Sequence, residues 1–261
     1  MRIGASTACL YPMETEKALD TLIGSGFRIV EIFFNSFSEL EPEFLERLRR
    51  RISESSCEVV SIHPFLSGIE PFLMFSNYER RFYDTVDFYE KFYKAAQFLG
   101  AKKLVLHGGT FPDRYKLSDE EYCRRFEILA ERGERFGVET LHENVNKFRA
   151  SSPEFISAMR EIIPNRAKFT LDIKQAVRSD QNPLEILRAM GSGLKHIHIN
   201  DNTNDSDCVL PLCGTFDYTE FFNECRKISY DGDFIIEVYR TNFNNVQELS
   251  ESAVNLSRLL T

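Results

Sequence analysis

The 261-residue chain has no tryptophan, no CxxC pair and no run approaching the roughly 18–20 apolar residues that span a bilayer. The last absence predicts no membrane partner. The opening MRIGASTACL also lacks the long apolar stretch of a secretory leader. The six cysteines (Cys9, Cys57, Cys123, Cys208, Cys213 and Cys225) are scattered. A chain of this length needs no disulfide staples, so they are expected as reduced thiols of a cytoplasmic protein. Positive charge is in short supply: 32 Lys and Arg stand against 40 Asp and Glu, a net charge of -8. That balance gives no electrostatic reason to bind a polyanion and disfavours nucleic acid as a partner. Pro/Ser-rich linkers, low-complexity tracts and short repeats are missing too, so residues 1–261 are expected to form one domain.

What is present can fill a large core. Hydrophobic residues make up 43% of the chain, and 23 Phe with 10 Tyr replace the missing indoles. Eight short strand-like segments run along it: MRIGAS, FRIVEIFF, CEVVSIHPF, KKLVLHGG, VETLHENV, FTLDI, HIHIN and FIIEVY. Each precedes a stretch of helical periodicity, from the segment starting at Glu14 to the one starting at Gln247. Local signals mark several boundaries. Ser118 with Glu121 three residues later forms a capping box, and Ser152 is an N-cap followed by Pro153. LSGIEPFLMFSN reads as a connection without a helix of its own. This alternation predicts a parallel sheet covered on both faces, and eight units favour a closed (β/α)8 TIM barrel over an open sheet.

The strands stop at unusual residues. VETLHENV ends at Glu143, FTLDI at Asp172, HIHIN at His198 and FIIEVY at Glu237, and two earlier strands end at His63 and His107. Core packing asks for none of these, and successive members lie about one βα unit apart. In a barrel, side chains at the carboxyl ends of the strands face one shared mouth. Glu143, Asp172, His198 and Glu237 make an oxygen and nitrogen ligand set for a divalent cation. Such a cation also relieves the repulsion that would force one of three clustered carboxylates to hold a proton.

The same residues carry a family resemblance. The run of HP, LHGG, ENV, LDIKQA, HIHIND and IIEV resembles the xylose isomerase-like TIM-barrel superfamily over nearly the whole chain. That superfamily includes ketose 3-epimerases, hydroxypyruvate isomerases, inosose dehydratases and class II apurinic endonucleases. The resemblance implies that Glu143, Asp172, His198 and Glu237 hold one Mn, Zn, Mg or Co ion. It further implies that Glu143 and Glu237 flank a small sugar or sugar phosphate as the two acid/bases of an epimerase or isomerase working through an enediolate. In the endonucleases two further histidines hold a second zinc. His63 and His107 match them and are candidates for a second metal or for substrate hydroxyls. A third zinc there takes a histidine three residues after the Asp and a D-x-H beyond the seventh strand. This chain has Gln175 at the first place, and Asp207 and Val209 at the second. The trinuclear phosphodiesterase site is therefore not expected, and Gln175 becomes a substrate-binding candidate through its amide. A zinc phosphodiesterase and an enolate-forming dehydratase are the alternatives to the sugar isomerase.

Several residues carry weaker expectations. Arg240, three positions past Glu237, is a candidate for a substrate hydroxyl, carboxylate or phosphate. Asp201 is a candidate support for His198 or its loop. Glu31 is expected to close a hydrogen-bond network near the metal, His142 to point toward the helices, and His196 to sit one layer below His198 as core. Phe65, Phe72, Phe75 and Phe111 either pack or wall the substrate from water. Self-association into a homo-oligomer is left open.

Overall fold

The computed structural model describes residues 1–112 and 114–260. The strands are β1 (Ile3–Ser6), β2 (Ile29–Phe33), β3 (Glu58–His63), β4 (Lys103–Leu106), β5 (Glu139–Glu143), β6 (Phe169–Asp172), β7 (Leu194–Ile199), β8 (Asp201–Thr203), β9 (Ser206–Val209) and β10 (Phe234–Ile236). Eight of them close a parallel barrel in the order β1-β10-β7-β6-β5-β4-β3-β2, while β8 and β9 pair separately. Closure joins the two ends of the chain, with Ile3 in register with Phe234 and Ala5 with Val30. The protein is a TIM barrel, as expected. Among the described residues no helix is long and apolar enough to cross a membrane.

Strand alternation sorts the side chains. In β5 the phenol of Tyr93 meets Thr140 Oγ1 at 2.7 Å and that of Tyr122 meets His142 Nε2 at 2.7 Å, both from the surrounding helices. Glu143, on the opposite face, points into the barrel. His142 therefore lies on the helix side, as expected; its burial pushes the imidazole down to about 4, so it stays neutral. Between strands and helices lies an aromatic core that includes Phe34, Phe82, Tyr89, Phe92, Phe126 and Phe169, all fully buried.

Four local features depart from expectation. LSGIEPFLMFSN contains a short helix, Glu70–Met74. Glu70 is buried and accepts the backbone N–H of His107 (2.9 Å) and of Gly108 (2.8 Å) together with the Tyr89 phenol (2.7 Å). The connection thus fixes the chain where β4 delivers His107. A second unforeseen helix, Ile173–Arg178, starts directly after β6, and the hairpin of β8 and β9 occupies the loop beyond β7. At the capping box, Ser118 Oγ accepts from Glu121 N (3.2 Å), but the Glu121 carboxylate turns to Arg124 and Arg125 instead of reaching back.

Gly108 shows how tightly the chain is held below the mouth. Its φ is +88°, and a Cβ there would lie 2.3 Å from the Tyr122 hydroxyl and 2.5 Å from His142 Cε1. Gly108→Ala is expected to destabilise the protein by about 1–3 kcal/mol through combined backbone strain and overpacking. A denaturant midpoint equal to wild type would contradict this placement.

Candidate metal centre at the barrel mouth

The register sets the candidate residues side by side. Asp172 at the end of β6 is opposite His198 of β7, and Ile235 of β10 is opposite the same histidine. Glu143 ends β5, and Glu237 follows β10 directly. Ligand atoms of Glu143, Asp172 and His198 all lie within 4.8 Å of one another. His198 Nδ1 is the hub: it is 2.8 Å from Glu237 Oε2, 3.3 Å from Glu143 Oε1 and 3.8 Å from Asp172 Oδ2. Glu143, Asp172 and His198 are buried.

Beneath this cluster lies a polar floor. Glu31 Oε2 accepts from Ser61 Oγ (2.7 Å) and stands 3.0 Å from His196 Nε2 and 3.1 Å from His198 Nε2. With the His198 proton on Nε2 facing Glu31, the Nδ1 lone pair is left for the mouth. Burial raises the Glu31 carboxyl, yet the charges of His198 and His196 hold it well below the usual carboxylate range. His196 lies one layer deeper than His198, as expected, although its neighbours are Glu31 and Ser61 and so polar.

A second cluster adjoins the first. His63, His107 and Glu143 also offer ligand atoms within 4.8 Å of one another, so Glu143 belongs to both groups. His63 Nδ1 meets the Pro64 carbonyl at 3.1 Å, which leaves Nε2 for the mouth. That Nε2 lies 3.1 Å from His107 Nε2, and the two are 3.6 and 2.9 Å from Glu143 Oε2. Burial raises the Glu143 carboxyl, but His107, His198 and His63 together bring it well below its ordinary value.

Three residues that the sequence did not single out are built into the site. Lys174 Nζ contacts Asp172 Oδ2 at 2.5 Å and Glu237 Oε1 at 3.2 Å. Asn200 Nδ2 donates to Asp172 Oδ1 at 3.1 Å. The Asn144 amide brackets the backbone of Asp172, donating to its carbonyl and accepting from its N–H. Each asparagine directly follows a strand end, in ENV and in HIND, so polar pairs at those ends were the available signal. Lys174 had none: it lies past the end of FTLDI and interrupts no apolar run.

Other expectations are redirected. Arg240 is not brought to the cluster; its guanidinium donates to the carbonyls of Phe243 (2.8 Å) and Asn244 (3.3 Å) in its own loop. Gln175 spends its carbonyl oxygen on Asn146 N at 3.1 Å, which leaves only its amide hydrogens for a ligand. Asp201 takes the second of the two places expected for it, in the loop after β7, accepting from the N–H groups of Asn202, Gly214 and Phe216. Asp207 is taken up by Arg178, whose guanidinium also reaches the Tyr239 phenol. Of the four phenylalanines, Phe75 stacks on Tyr122 and Phe65 packs against Phe37 and Phe92, while Phe72 and Phe111 are largely exposed. The cavity beside the cluster, of about 280 Å³, is walled instead by Tyr11, Phe33, Asn35 and Tyr239, with Lys174 and Glu237 at its inner end.

The donors fit a dication. Glu143 Oε2 and Glu237 Oε2 have no hydrogen-bond partner among the described residues, although each lies within 2.9 Å of an imidazole nitrogen. Each of these oxygens keeps lone pairs that no protein donor takes up, as a ligand for a cation requires. Carboxylate oxygens with one imidazole nitrogen suit Mn, Zn, Co or Mg.

The chain is similar to known proteins over almost all its length. An uncharacterized protein of Methanocaldococcus jannaschii is 25% identical over 250 residues, covering 91% of this chain and 83% of the relative. A D-tagatose 3-epimerase-like protein superposes with a TM-score of 0.80 at 23% identity, covering 100% of this chain and 97% of the other. The probable 3-DHS dehydratase of Bacillus anthracis superposes with a TM-score of 0.76 at 16% identity, covering 98% and 99%. The model of the family described as xylose isomerase-like TIM barrel matches residues 19–259. With the barrel closed and that match spanning most of it, the chain belongs to the xylose isomerase-like TIM barrel family.

Proposed function

We propose that the protein is a divalent-metal-dependent epimerase or isomerase of a small sugar or sugar phosphate. The observation that carries this reading is the meeting of Glu143, Asp172 and His198 within 4.8 Å, with Glu237 2.8 Å from the same His198 nitrogen, beside a cavity of about 280 Å³. Asp172 and His198 would orient a bound ion, and Glu143 and Glu237 would complete its ligands. Mn, Zn, Mg or Co held there would supply Lewis acidity to the oxygens of the sugar.

The chain's own groups then move the proton. Glu237 lines the cavity, whereas Glu143 reaches His198 from β5, so the two carboxylates approach the hub from different strands. One abstracts the proton from the carbon next to the carbonyl; the other returns one, from the opposite face in an epimerisation. Burial would raise Glu237, yet His198 and Lys174 bring it down to about 2, so it is ionised at neutral pH. Tyr11, Phe33 and Tyr239 present apolar rings to the substrate, and Asn35 is a polar group of the same lining; Gln175 lies outside that lining, with its amide hydrogens as the part left to meet a hydroxyl.

The D-tagatose 3-epimerase-like protein supports a ketose substrate, and the dehydratase keeps an enolate-forming lyase as an alternative. The His63, His107 and Glu143 cluster favours one second reading, a two-metal phosphodiesterase. Gln175, Val209 and the net charge of -8 weigh against it. The test is elemental analysis of the purified protein, followed by a panel of ketoses and ketose phosphates in deuterium oxide. Deuterium incorporation at carbon is expected. Cleavage of abasic DNA, with no incorporation into any sugar, would replace this reading with the phosphodiesterase.

A further inference from the structure

Lys174 is a cation set among the proposed ligands, and the proposed reaction asks nothing more of it than its charge beside Glu237. Its position follows from local chain geometry. Asp172 caps the helix Ile173–Arg178, with Oδ1 accepting the N–H groups of Lys174 and Gln175 and the Asn200 amide. Only Oδ2 remains for a metal, and Lys174 Nζ holds that atom at 2.5 Å. The same ammonium spans to Glu237 Oε1 at 3.2 Å. Its side chain is 3% exposed, so water does not screen these contacts.

The position has a consequence for the cluster. Glu143, Asp172 and His198 form a close group; Glu237 touches His198 but is not part of it. The ammonium sits on Asp172 Oδ2, the atom a dication binding all four would need, and on Glu237 Oε1, while Glu237 Oε2 has no donor among the described residues. An ammonium and a dication sharing one carboxylate pair also repel each other strongly in a buried setting.

We infer that Lys174 is a tethered counter-ion that competes with the dication for Asp172 Oδ2, and that metal binding turns its ammonium into the adjoining cavity. The cavity is built to receive it. Lys174 already lines that space, and Nζ lies 5.8 Å from the centre of the Tyr239 ring, within cation–π range. Once there, the ammonium faces the substrate and favours one bearing an anionic group or an oxygen that gains negative charge. The inference rests on the metal-dependent reading above, and it assigns Lys174 two positions, one on each side of metal binding.

The test uses the full chain stripped with a chelator and titrated with Mn2+, in wild type, Lys174→Met and Lys174→Arg. Lys174→Met removes the competitor, so its Mn2+ affinity should rise by about tenfold or more, while the charge-preserving Arg variant stays near wild type. A methionine variant that binds Mn2+ no better than wild type overturns the proposal. Wild type alone gives a second measurement should either variant fail to fold. In protein labelled with 15N at lysine, the metal-stripped form should show a protected Nζ–H resonance that shifts or disappears on adding Zn2+. A resonance unmoved at full zinc occupancy overturns the proposal as well. Equal Mn2+ affinities sink this inference and leave the metal site standing; failure of every form to take up Mn2+ or Zn2+ sinks both.

Discussion

Glu143→Gln is expected to lose both metal retention and carbon–deuterium exchange. Among the described residues Glu143 is the one carboxylate shared by two of the three ligand groups, with Oε1 3.3 Å from His198 Nδ1 and Oε2 2.9 Å from His107 Nε2. An amide of the same shape keeps the packing and removes the charge. Metal affinity should therefore fall by more than the roughly 10–100-fold typical of losing a partner that only supports a ligand. Exchange should fall by about 10²–10⁴-fold, the usual contribution of a positioned acid–base group. Glu237→Gln separates the two effects, because Glu143, Asp172 and His198 still form their group without it. That variant should retain more metal and lose exchange by a similar factor. Measurement requires only metal content after dialysis and mass spectrometry of the recovered sugar. Wild-type exchange in both variants would remove these carboxylates from the mechanism.

Glu31→Gln should give a different profile. Glu31 lies below the mouth, is fully buried, and reaches His198 through Nε2, the nitrogen turned away from the other carboxylates. It touches no substrate space and acts by fixing the tautomer and tilt of the imidazole. Its loss should weaken metal binding by about 10–100-fold. At saturating metal the exchange rate should recover to near the wild-type value. A variant that stays inactive when fully loaded would mean that Glu31 does more than position His198.

The two variants differ in what could be read from residues alone. Glu143, Asp172, His198 and Glu237 were visible because each interrupts an apolar run at a place where packing has no use for charge. Glu31 was visible as a charge inside FRIVEIFF, but its distance from the mouth was not, since that depends on how β2 is staggered against β3 and β7. Lys174 was invisible. A lysine in the first turn of a polar helix ordinarily points to water, and here the cap at Asp172 folds it under the neighbouring strand end. The phenylalanines failed for the opposite reason. Abundance in the loops after β3 and β4 drew attention to Phe72 and Phe111, whereas the cavity draws its aromatic wall from Tyr11, Phe33 and Tyr239, around the seam where the barrel closes.

Strand and helix alternation, the eight-unit count and the polar strand ends are properties of short windows, governed by periodicity and local caps, and the order of residues was enough to determine them. Which ends touch is decided by contacts between distant segments, among them Ile3 with Phe234 and Glu31 with His198. Register and stagger around a closed barrel set those distances, and no local window contains them. The tertiary structure alone therefore decided that Lys174 enters the acidic cluster, that Arg240 stays out, and that one histidine nitrogen faces three carboxylates while the other faces a fourth.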